Sequence, residues 1–138
     1  MPAMSEWRRA ALDRLPEFRE MIEATDTPLD LWVDLGFSLT ELYATMELND
    51  DLVRRIYDYA FWCLRRPERG TAVGSAAFMF FEHVAFDARM RNDLHRWLSV
   101  EWFYGLTEAF RCRLSKEEYA KFEQDFLVRA KGGSQIPP

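Results

Sequence analysis

TAVGSAAFMFFEHVAF, residues 71–86, decides the fold. At helical spacing, Val73, Ala77, Phe80, Phe81 and Val84 line one face, and Ala76, Phe78, Met79 and Phe86 line much of the rest. A helix without a polar face has to be covered by neighbours on several sides. The stretch is too short to leave the protein for a lipid phase. Its longest unbroken apolar run, Ala76 to Phe81, is six residues, whereas a membrane span needs about 20. An all-α domain built around a buried central helix is the expectation.

The surrounding sequence supplies the covering helices. Ser5 to Arg14 reads as a short helix, and Pro16 suits the first turn of a second piece over 16–24. Thr25 to Thr27 form a turn, and Pro28 opens a helix reaching about Leu48. Leu31, Trp32, Leu35, Leu39, Leu42, Tyr43 and Met46 recur there at intervals of three and four. Asn49 or Asp50 caps the next helix, with Leu52, Val53, Ile56, Tyr59, Ala60 and Cys63 as its stripe. It ends before Pro67, and Gly70 closes the loop. Beyond the apolar helix come a charged segment over 89–98 and a helix capped by Ser99 that runs to about Leu114. The last helix is opened by Ser115 and Glu118 at capping-box spacing.

Short connections favour antiparallel neighbours. The pairs 28–48/50–66 and 71–87/99–114 then read as two hairpins. The expected architecture is six to seven helices stacked as antiparallel hairpins around the buried helix 71–86, helical-repeat-like rather than a closed bundle. Residues 1–131 form a single helical domain, and 132–138 are a flexible tail.

Composition restricts function more than it specifies it. The chain has 138 residues, 49% hydrophobic and 15% aromatic, enough for one well-filled core. The net charge of −5 disfavours nucleic acid as a partner. The charge is uneven: residues 1–52 carry 12 acidic and 4 basic side chains, and the remainder has a net charge of +3. Two cysteines, Cys63 and Cys112, do not suggest a disulfide framework, and the N-terminus has no apolar signal region. A cytoplasmic protein without membrane association is expected.

Three segments carry a resemblance: Asp51-Leu-Val-Arg-Arg-Ile-Tyr-Asp-Tyr59, Phe80-Phe-Glu-His83 and Tyr119-Ala-Lys-Phe-Glu123. In order and spacing they resemble a family of small, uncharacterised bacterial helical domains. These are similar to the immunity proteins and accessory helical modules of bacterial toxin systems. The resemblance covers roughly residues 15–126. It implies a protein partner, and it supplies no catalytic residue.

The residues themselves offer little chemistry. Glu82, His83 and His95 are the nearest approach to a pocket, which would make the protein a small-ligand binder or an enzyme. Neighbouring positions on a helix point about 100° apart, so Glu82 and His83 are poorly placed to share an ion. No Glu-x-x-His or His-x-x-x-His pair occurs. No metal site, cofactor or catalytic residue is expected.

The acidic residues are better organised. Asp26, Asp30 and Asp34 are spaced at four residues, Glu41 follows seven on, and Asp50 and Asp51 occupy the next turn. Like charges four apart on a helix cost a few tenths of a kcal/mol unless compensated. They form a solvated face, pair internally with Arg54, Arg55 or Arg89, or meet a basic protein partner. Trp62 and Tyr104 lie off the main stripes of their helices. They are either buried by neighbouring helices or available as contact residues, and an aromatic face of that kind would also serve a homodimer. The leading expectation is a non-catalytic protein–protein interaction module, of the immunity type, with Asp30, Asp34, Glu41, Asp50, Asp51, Trp62 and Tyr104 at its contact surface.

Overall fold

The structure is a computed structural model that describes residues 4–65 and 72–134. The loop at Pro67 and Gly70 and the tail 135–138 lie outside the described residues. Among those described there are nine α-helices and no strand: α1 Glu6–Arg14, α2 Arg19–Ala24, α3 Pro28–Ala44, α4 Asp50–Leu64, α5 Ala72–Phe86, α6 Ala88–Asp93, α7 Val100–Gly105, α8 Thr107–Arg111 and α9 Lys116–Ser134. Short 3-10 turns occupy Pro16–Phe18 and Leu94–Arg96. The fold is all-α. None of these helices is long and apolar enough to cross a membrane.

Nine α-helices stand among the described residues where six to seven are expected; α3 is shortened and the segment 99–114 is divided. The Thr45 hydroxyl donates to the Leu42 carbonyl at 2.7 Å, and α3 stops at Ala44 rather than Leu48. Such local bonding competes with the helical ladder. The segment 99–114 divides at Leu106, just past Gly105, where the Thr107 hydroxyl takes the Tyr104 carbonyl at 2.8 Å. The caps fall where the sequence places them: the side chains of Thr27, Asn49 and Ser99 each accept a first-turn N–H. Ser115 and Glu118 close a reciprocal capping box at 3.0 and 2.7 Å. The final helix continues through Gly132 to Ser134, three residues beyond the expected end.

The chain divides into two compact units, Met1–Phe80 and Phe81–Pro138. In the first, α1 packs on α4 and α3 on both α2 and α4. The Tyr59 hydroxyl donates to the Trp7 carbonyl at 2.9 Å, and burial pushes this phenol's pKa upward, so it stays neutral. Trp32 stacks on Tyr59 with ring centroids 5.3 Å apart and meets Phe80 at 4.6 Å. The Trp32 indole N–H is buried without a hydrogen-bond partner among the described residues. Its aromatic contacts offset a desolvation cost of about 1–3 kcal/mol. Arg8 ties α1 to the end of α2 by donating to the carbonyls of Ile22 and Thr25.

In the second unit, α9 packs against the Leu94–Arg96 turn, α6 and α8. Phe103 is the hub: it stacks on Phe126 at 4.2 Å and meets Phe110 and Phe122, each at 5.2 Å. Phe110 also takes the edge of Phe81 at 6.2 Å.

Helix α5 satisfies half of what its sequence asks. Val73, Ala76, Ala77, Phe80, Phe81, Val84 and Ala85 are buried. Phe78 and Met79 are only half-buried, and Phe86 is 58% exposed with the Arg113 guanidinium 5.7 Å from its ring centre. One broad face is covered, and the opposite side is not. A Cβ at Gly74 would lie 3.7 Å from the Cys63 carbonyl, an ordinary contact.

Candidate functional site

The expected contact residues separate into two groups with different fates. The first is absorbed by the fold. Asp51 accepts from Arg55 at 2.8 and 3.0 Å, and Arg55 also donates to the Arg14 carbonyl and to both carboxylate oxygens of Glu17. Arg55 is therefore a clasp holding the α1 end, the Pro16–Phe18 turn and the α4 start together. The guanidinium beside Glu17 pulls that carboxyl down to about 2. Asp50 sits in the first turn of α4, where the helix dipole favours a carboxylate. Trp62 is half-buried, stacked on Tyr59 at 6.0 Å with Arg14 over its ring. Tyr104 is exposed, but its hydroxyl donates to Glu123 of α9 at 2.7 Å, and that bond raises its pKa.

The second group remains unengaged. Asp30, Asp34 and Glu41, with Asp26 before them, meet no cation among the described residues. Thr27 caps the helix beneath Asp30, so the first-turn dipole accounts for Asp30 but not for Asp34 or Glu41.

Beside this carboxylate row lies a feature the periodicity alone conceals. Leu29, Val33 and Phe37 are 48%, 41% and 65% exposed. They are four residues apart, so each is turned only about 40° from the last and they form one ridge of the i±4 kind. Asp30 and Asp34 lie on the next row round the helix and border the ridge on one side, while Glu41 continues the ridge itself one turn beyond Phe37. The other side of α3, with Leu31, Trp32, Leu35 and Leu39, is fully buried. The signal was present in the sequence as a second apolar set in α3. The stripe marked by spacing, Leu31, Trp32, Leu35 and Leu39, is the covered one, and the second set lies outside it.

The alternative pocket residues are placed as follows. Glu82 and His83 are half-buried on α5, and His95 is half-buried in the Leu94–Arg96 turn. The Cys112 thiol hydrogen-bonds to Glu82, which raises the thiol pKa against the opposing charge of Arg113. The Arg111 guanidinium lies over Tyr119 instead. Among the described residues, no group of three or more His, Cys, Asp or Glu side chains is placed to hold a metal ion. The surface that remains chemically distinctive is the outer face of α3. No protein family, curated protein or solved structure matches the chain.

Proposed function

We propose that this protein is a non-catalytic, cytoplasmic protein–protein interaction module whose contact surface is the outer face of α3. The observation that carries this reading is the exposed ridge Leu29–Val33–Phe37 running beside carboxylates without cation partners among the described residues. Large apolar side chains grouped on one exposed helix face mark contact sites more often than singly scattered ones do. Both cysteines are free, in keeping with a reducing compartment. An immunity-type role, with a basic toxin as the partner, is one form this function takes.

The test is site-specific photo-crosslinking in the cells that make the protein. A benzoylphenylalanine replacing Phe37 is expected to capture a discrete partner polypeptide, whereas one replacing Tyr104 is not. Absence of any adduct from position 37 overturns the reading. An adduct with a second copy of the chain replaces it by homodimerisation.

A further inference from the structure

We infer that the occupant of the α3 ridge is an amphipathic helix of a second protein, bearing Lys or Arg along one flank of its apolar stripe. This rests on the interaction-module reading and specifies the partner's chemistry. Three observations carry it. First, Leu29, Val33 and Phe37 stand proud in a row that spans about 12 Å, two turns and a fraction. An i±4 row is the element that helix–helix packing inserts into the groove of a neighbour. Second, Asp30 and Asp34 border the ridge on one side only and Glu41 closes its C-terminal end, so a docked helix meets carboxylates along one flank and just past Phe37. Third, these carboxylates meet no cation among the described residues, unlike Asp51, which Arg55 occupies.

Charge also separates this occupant from its rivals. A second copy docking ridge to ridge would bring two rows of carboxylates together, and like charges oppose such a contact. An anionic lipid surface or a nucleic acid meets the same repulsion. A cationic flank turns the cost of the like-charge row into attraction and speeds encounter.

Three synthetic helical peptides with one apolar stripe, differing only in Lys, Gln or Glu along one flank, provide the probe. Binding to the full-length protein is followed by amide chemical-shift perturbation. The Lys peptide is expected to shift the resonances of residues 28–44, to bind several-fold more weakly at high salt, and to outbind the Glu peptide. The double variant Asp34→Lys, Glu41→Lys should weaken the Lys peptide by about tenfold. Asp58→Lys, Glu108→Lys makes the same net-charge change at exposed positions on other faces and should leave binding within about twofold. Glu41, Asp58 and Glu108 are exposed and Asp34 is half-buried, and circular dichroism verifies that both doubles fold. Equal binding of the Lys and Gln peptides overturns the basic-partner inference while leaving α3 as the contact face. Shifts confined to other helices, or none at all, overturn docking on α3. The crosslinking at position 37 then separately decides whether an interaction module remains. Sedimentation showing a dimer that the Lys peptide does not dissociate assigns the ridge to a second copy and overturns the inference.

Discussion

Helices α3 and α9 are both amphipathic, and they use their outer faces in opposite ways. On α9 several polar groups are satisfied within the chain. Lys121 pairs with Asp125 at 2.8 Å, Glu123 accepts the Tyr104 hydroxyl, Arg129 donates to the Asn92 carbonyl, and Glu118 closes its own cap. Its apolar seam, Phe122 and Phe126, is seated on Phe103. On α3 the inner seam is equally well buried, yet the outer face keeps three large apolar side chains in water beside carboxylates that lack an intramolecular cation among the described residues. The charges that α9 pairs are resolved locally, whereas those of α3 are not.

The largest test of this contrast compares two phenylalanines. Phe103→Ala removes the fully buried hub and should cost about 3–5 kcal/mol in urea unfolding. Phe37→Ala should change stability by less than about 0.5 kcal/mol. A cost above about 2 kcal/mol at Phe37 would mean that the ridge is part of the core, and the contrast between the helices would fail.

The caps should be matched where the faces are not. Ser115→Ala and Thr27→Ala each remove a side-chain acceptor from a first turn, and each should cost about 1 kcal/mol in the same measurement. A markedly larger loss at either would show that the two helices depend unequally on local capping.

Acid titration separates carboxylates within the first unit. Glu17 is held at about 2 by Arg55, below the ordinary value of 4.5. Its stabilising contribution is complete above about pH 4.5 and is lost as the pH falls toward 2. The pair is exposed enough that water screens it, and its worth stays under about 1 kcal/mol. Glu17→Gln should flatten that part of the stability–pH curve between 4.5 and 2. An unchanged curve would show that the Arg55 clasp contributes nothing measurable.

The smallest effect is expected at the ridge border. Asp34→Asn relieves like-charge repulsion along α3 and should raise stability by a few tenths of a kcal/mol, seen as a small upward shift in unfolding temperature. A destabilised Asp34→Asn would show that this carboxylate serves the fold after all.

The sequence was a good guide to helices and a poorer one to their outer faces. The capping box at Ser115, the Asn49 cap and the turn before Pro28 rest on neighbours within three or four residues, and all three form as their spacing predicts. Trp62 and Tyr104 resisted the same treatment because their partners lie elsewhere: Arg14 for one, Glu123 for the other. Asp51 was grouped with Asp34 by composition alone, and only Arg55 distinguishes them.

By itself, then, the amino-acid order determined an all-α chain, the starts of its principal helices and the inward stripe of α3. These depend on propensity, caps and 3.6-residue periodicity, which are properties of short stretches. Tertiary structure alone decided that one side of α5 stays uncovered and which carboxylates are neutralised. The Arg55–Glu17 contact joins residues 38 apart in sequence. Burial likewise depends on what distant chain arrives to cover a face, and a repeating pattern on one helix carries no record of that arrival.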